Sequence, residues 1–181
     1  MKVLFQSVLL TVIFSTYSFS QETAKPRLSP LALATAHYKD TYLKIVYSQP
    51  QKHAREVFGK LVPYDQVWRT GANEATEITL TKEILINGTT LKAGTYSLFI
   101  IPGKEKWTVI VNSDLGLWGS YNYNQKTDVL RFDVPAKLIA DNVVYEAFTI
   151  RIDQRTDTAE VFFLWDKTQI DFPIQFIEPK P

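Results

Sequence analysis

The chain has 181 residues, no cysteine, 13% aromatics, and 20 basic against 19 acidic residues for a formal charge of +1. That length suits one domain with a proper core, and 45% hydrophobic with 22% charged content excludes a disordered chain. Without thiols there are no disulfides, thiolate metal sites, cysteine nucleophile or lipid anchor on an N-terminal cysteine; without excess positive charge, non-specific binding to nucleic acid or anionic membrane is disfavoured.

The N-terminus reads "MKVLFQSVLLTVIFSTYSFSQ": one basic residue, Lys2, a largely apolar run from Val3 to Phe14, then small Ser18 and Ser20 at signal-peptidase spacing. Residues 1–20 are therefore expected to be a secretory signal peptide, too short in its apolar part for a bilayer span of about 20 residues. Its removal takes away Lys2 and no acid, leaving 19 bases against 19 acids, with no transmembrane segment and a periplasmic or extracellular destination.

Residues 21–36 carry two prolines and little periodicity, and are read as a lead-in to a domain over residues 37–178. From there the chain alternates with the period of a strand. Leu43, Ile45 and Tyr47 share one face of "TYLKIVYS", and Thr76, Ile78 and Leu80 one face of "TEITLT". In "EILINGTTL" the Asn87-Gly88 pair predicts a type I′ hairpin. A second hairpin turns at Pro102-Gly103 and puts Trp107, Val109 and Val111 on one face. Leu130, Phe132 and Val134 alternate next, then Phe148, Ile150 and Ile152. "AEVFFLWD" is apolar on both faces and reads as a central strand, while Pro173 demotes "IDFPIQF" to an edge or bulged one. Roughly nine short strands and no long helix predict an all-β fold, a single antiparallel β-sandwich or jelly-roll-like domain.

The catalytic inventory is thin. Only His37 and His53 are available as imidazole ligands and no spaced-aspartate calcium loop exists, so no metal site and no cofactor are expected. No Gly-x-Ser-x-Gly elbow or phosphate-cradling glycine loop is present. Asp65, Glu74, Asp114 and Asp166 are loop or strand-end acids that would serve as an acid–base pair only if they met in space.

One segment concentrates polar and aromatic groups: "LVPYDQVWRTGANEATEITL" holds Tyr64, Asp65, Trp68, Arg69, Asn73 and Glu74. Two readings compete. In one, Arg69, Asn73 and Glu74 line a cleft, with Trp68 as a stacking surface. In the other, Arg69 pairs with Glu74, Gly71 takes a positive φ, and Asn73 holds a tight corner beneath a buried Trp68. A second cluster, "LGLWGSYNY", sets Trp118, Tyr121 and Tyr123 beside glycines, as sugar- or peptide-binding loops do, or as a loop does that tucks its tryptophan into the core. The ligand-binding candidates are Tyr64, Trp68, Arg69, Asn73, Glu74, Trp118 and Tyr121; no residue is assigned as catalytic.

Over residues 29–177 the chain resembles the family of unknown function DUF2911. The resemblance rests on "VYSQP", on the long run from "VFGKLVPYDQVWRTGANEAT" through "AGTYSLFIIPGKEKWTVIVN", and on "WGSYNYNQKTDVLRFDVP". It implies an exported β-rich bacterial domain, found chiefly in Bacteroidota, with no assigned activity and no catalytic residues to carry over. Members often read Ser-Arg-Pro where this chain has Ser48-Gln49-Pro50; the lost cation has a partial substitute in Arg55.

Two functions fit these readings. The first is a non-enzymatic binding or scaffold module of the bacterial envelope, its partner a small polar ligand, a glycan, a peptide or another envelope protein. The second is a hydrolase or lyase using Glu74 or Asp65 as base, with Arg69 holding an anionic group.

Overall fold

A computed structural model describes residues 26–140 and 143–177; the expected signal peptide lies outside them. Twelve antiparallel strands in two sheets make up the described fold. In spatial order the first sheet runs β1 (Leu31–Tyr38), β2 (Thr41–Ser48), β3 (Thr76–Leu80), β6 (Gly94–Ile101), β7 (Lys106–Asn112) and β8 (Asp128–Pro135). The second runs β10 (Tyr145–Gln154), β11 (Thr158–Asp166), β12 (Thr168–Phe176), β4 (Ile84–Ile86) and β5 (Thr89–Leu91), with the two-residue β9 (Lys137–Leu138) also on β12. The one helical element among the described residues is a 3-10 turn at Gln125–Thr127, so the expected all-β sandwich with no long helix is what forms.

The core follows from alternation. Leu43, Ile45, Ile78, Leu80, Leu98, Ile100, Trp107, Val109 and Val111 point inward from the first sheet. They meet Phe148, Ile150, Val161, Phe163, Trp165, Ile170, Phe172, Ile174 and Phe176 from the second. Two layers each apolar on one face bury those faces against each other, which is the sandwich solution. The Asn87-Gly88 turn has φ of 46° and 77°, as the hairpin between β4 and β5 requires.

Three details depart from the sequence reading. Strand β1 begins at Leu31, inside the segment read as a lead-in, and pairs with β2 along its whole length. Its pattern is inverted in size: Ala34 and Ala36 face the core while Leu31 and Leu33 are exposed, so hydrophobicity gives no strand signal there. Together with β9 and the separate arms of the first hairpin, β1 brings the count from about nine to twelve. Third, the strand carrying Pro173 is an interior one, between β11 and β4. The Pro173 carbonyl accepts from Asn87 N–H, so its ring nitrogen also faces the β4 side, one residue beyond the last β4 partner, Ile174. The missing N–H thus falls in the gap between β4 and β9 and costs no ladder bond to β11.

A second, smaller apolar cluster lies on the outer face of the first sheet. Phe99 and Ile110 point away from the main core and are covered by Ala75, Val67, Leu117 and Tyr123. The β7–β8 connection folds over this face, held by Asn112, whose buried side-chain amide reaches Asn124 O at 3.0 Å, Thr127 Oγ1 at 3.1 Å and Asp128 Oδ1 at 2.8 Å. Tyr123 Oη donates to Asp128 at 2.6 Å, and burial, reinforced by that carboxylate, pushes its pKa up to about 12.

Candidate functional site

The β2–β3 connection, residues 49–75, is far longer than the 12–15 residues beyond which connections in compact domains become uncommon. It is tied down at several points. Gln51 bridges to Ala147 of β10, and Phe148 N–H donates to Pro50 O at 2.9 Å. Asp65 N–H donates to Pro102 O at 2.8 Å, and Trp68 and Ile100 exchange both main-chain bonds at 2.7 and 2.9 Å.

Residues directly opposite one another in an antiparallel pair project to the same face. Ile100 faces the core, so Trp68 does too. Its ring stacks on Trp165 with centroids 5.8 Å apart and an 18° interplanar angle, and meets Phe148 edge-on at 5.0 Å. Its Nε1 donates to Gly71 O at 3.0 Å, so the polar tip is satisfied inside the corner.

The corner itself, residues 69–76, closes through Thr76. Its N–H donates to Arg69 O at 3.1 Å and its Oγ1 to Thr70 O at 2.6 Å. The positive φ angles fall on Thr70 (57°) and Asn73 (56°), not on Gly71. Gly71 serves a different need: a Cβ there would lie 2.8 Å from the Ser48 carbonyl, so only glycine lets the corner press against β2.

The Arg69–Glu74 pair of the corner reading does not form. Glu74 is gripped by Arg27, whose Nη1 and Nη2 donate to its two oxygens at 2.9 and 2.6 Å, and Ser48 Oγ adds a 3.3 Å contact. Those donors, Arg27 first, hold the Glu74 carboxyl below its ordinary range. Arg69 instead turns toward the β7–β8 connection, where a Cβ on Gly119 would lie 3.2 Å from its Nη1. Its Nε is buried without a hydrogen-bond partner.

The two aromatic segments named from the sequence do meet, through their backbones. Glu74 bridges to Trp118, Ala75 N–H donates to Leu117 O at 2.8 Å, and Gly119 N–H donates to Asn73 O at 2.9 Å. Their side chains then part. Trp118 shares the outward face of Glu74 and is 60% exposed, and Tyr121 is 83% exposed.

A cleft of about 540 Å³ opens beside this junction, within the size range of small-molecule sites. Trp68, Trp165 and Val62 give it an apolar floor; Arg69, Arg55, His53, Gln51, Gln66 and Ser120 supply polar groups. Of the seven ligand-binding candidates only Trp68 and Arg69 line it. Tyr64 lines a separate pocket of about 140 Å³ with Phe58 and Trp107. Glu74 lies on a shallow pocket of about 210 Å³ that also holds Glu77. Asn73, Trp118 and Tyr121 line none of these three. Of the residues the candidate set lacked, Arg55 had a signal in the departure from Ser-Arg-Pro. The amides and Ser120 had none, because only the fold brings residues 51, 66 and 120 together.

None of the four candidate acids lines the cleft. Glu74 is paired with Arg27 and Asp166 with Lys52, Asp114 accepts from Thr127 Oγ1 at 2.8 Å, and Asp65 is exposed at a positive φ of 61°. Among the described residues no three histidine or acidic side chains cluster as metal ligands would, and no helix is long and apolar enough to cross a membrane.

Comparison with known proteins found no match among curated proteins and none among solved structures. A family model does match, that of the protein of unknown function DUF2911, over residues 29–174. With the match spanning most of the chain, from β1 into β12, the protein belongs to the DUF2911 family.

Proposed function

We propose that the protein is an exported, non-enzymatic binding module of the bacterial envelope whose ligand enters the cleft between the β2–β3 connection and Ser120. The observation that carries this reading is the composition of the cleft. An apolar tryptophan floor with a few convergent polar groups is the usual make-up of a small-molecule site. Export rests on the N-terminal sequence, with its basic residue, apolar run and Ser18/Ser20 spacing. Hydrolysis or elimination with Glu74 or Asp65 as base is less favoured. Glu74 is kept ionised by Arg27, and Asp65 stands outside the cleft.

Glycan and peptide arrays probed with the purified protein test the binding role. Ala72 lines the cleft, so Ala72→Tyr fills it and should abolish any array signal, whereas Trp118→Ala should leave that signal unchanged. Signal lost in Trp118→Ala but kept in Ala72→Tyr moves the site to the exposed aromatics and overturns the cleft reading. For export, protein recovered from cells should begin at Gln21; retention of Met1 counts against it.

A further inference from the structure

The charge lining the cleft is one-sided. Arg69 sits inside it, Arg55 and His53 stand on its rim, and no aspartate or glutamate lines it. Arg55 is fixed in place, its Nε and Nη2 donating to the carbonyls of Lys52 at 2.7 Å and Gln51 at 2.6 Å. Elsewhere Arg27, Arg131 and Arg151 each pair with a carboxylate. Among the described residues Arg69 pairs with none, and its Nε is a buried donor with no acceptor, an arrangement rare in folded proteins.

The one acid within the corner explains why. Glu74 would be the natural internal partner of Arg69, but Arg27 takes both its oxygens. The lead-in thereby withdraws the one carboxylate the corner could offer and leaves a guanidinium uncompensated above a tryptophan floor. A planar fork of donors in that setting matches a planar or tetrahedral oxyanion.

We propose, resting on the binding-module reading, that the cleft takes a small organic oxyanion. Its carboxylate or phosphate group sits on Arg69, its apolar body lies on Trp68 and Trp165, and Arg55 at the rim draws it in.

Calorimetric titration of the purified protein with benzoate and phenyl phosphate, against the neutral benzamide and benzyl alcohol, tests this. At least one anion should bind about tenfold or more tightly than its neutral counterpart, the gain of a charge-assisted bond, and added salt should weaken it. The stronger anion tells carboxylate from phosphate. Arg69→Met should remove the preference while the protein stays folded by circular dichroism. Arg69→Lys, which keeps the charge and loses the fork, serves if the methionine variant does not fold, and should lower the preference at least in part. Equal binding of anion and neutral, a preference untouched by both variants, or no binding by any of the four compounds overturns the proposal. Equal binding that Ala72→Tyr abolishes would overturn the oxyanion alone and leave the binding cleft standing.

Discussion

Two aromatic loops meet at the edge of this sandwich, and they resolve in opposite directions. Residues 61–76 turn Trp68 inward, 8% exposed, into a cluster of Phe58, Phe148 and Trp165. Residues 113–127 turn Trp118 and Tyr121 outward and anchor themselves instead through Leu117, Tyr123 and the polar hub of Asn112. Each tryptophan follows an apolar residue, Val67 or Leu117, and stands just before a bend or turn. What separates them is the bridge partner: Ile100 for Trp68, Glu74 for Trp118. Aromatic content in a loop therefore says little about its role until the strand opposite is known.

The sharpest way to break the comparison is to truncate both rings. Trp68→Ala should cost about 3–5 kcal/mol by denaturant unfolding, since a large buried side chain leaves a cavity among three other rings. Trp118→Ala should stay within about 0.5 kcal/mol, as surface substitutions do. Similar costs at the two sites would mean that the outer loop packs in solution and that the two loops do not differ in kind.

The anchoring of the second loop is tested next. Asn112 is fully buried; besides its donor contacts, its Oδ1 accepts Asp114 N–H at 2.8 Å. Asn112→Leu leaves those main-chain and side-chain groups unsatisfied and should cost about 1–3 kcal/mol. Hydrogen exchange should quicken across residues 113–127 and not across residues 61–76. Uniform quickening would show that the two loops are one cooperative unit.

The frame was largely legible because its signals are local. Alternation at Leu43, Ile78, Phe148 and Ile170 marks strands, and Asn87-Gly88 marks its own turn. Strand β1 was hidden because its inward residues are alanines, small enough to carry no hydrophobic signal. At the site, two residues of the family segment, Trp68 and Arg69, line the cleft, while the other five candidates lie outside it. The expected pairing of Arg69 with Glu74 failed for a non-local reason. A short sequence separation favours such a pair, but Arg27, far back in the lead-in, offers a bidentate geometry that a residue on the far side of the corner does not.

That exchange of partners gives the smallest and most selective effect. The folded-state pKa of Glu74 lies below its ordinary value of 4.5, so the pair stabilises the protein above that value and loses its contribution as pH falls through the folded pKa. Both side chains are nearly half exposed, 45% for Arg27 and 42% for Glu74, so the effect is small and weakens further with salt. The melting temperature of the wild type should exceed that of Glu74→Gln by a small constant amount near neutrality, and the difference should shrink toward zero in acid. Arg27→Met should erase the pH dependence of that difference, and Arg69→Met should leave it intact. The reverse outcome would restore the pairing across the corner, supply Arg69 with its own carboxylate, and remove the reason for an anion in the cleft.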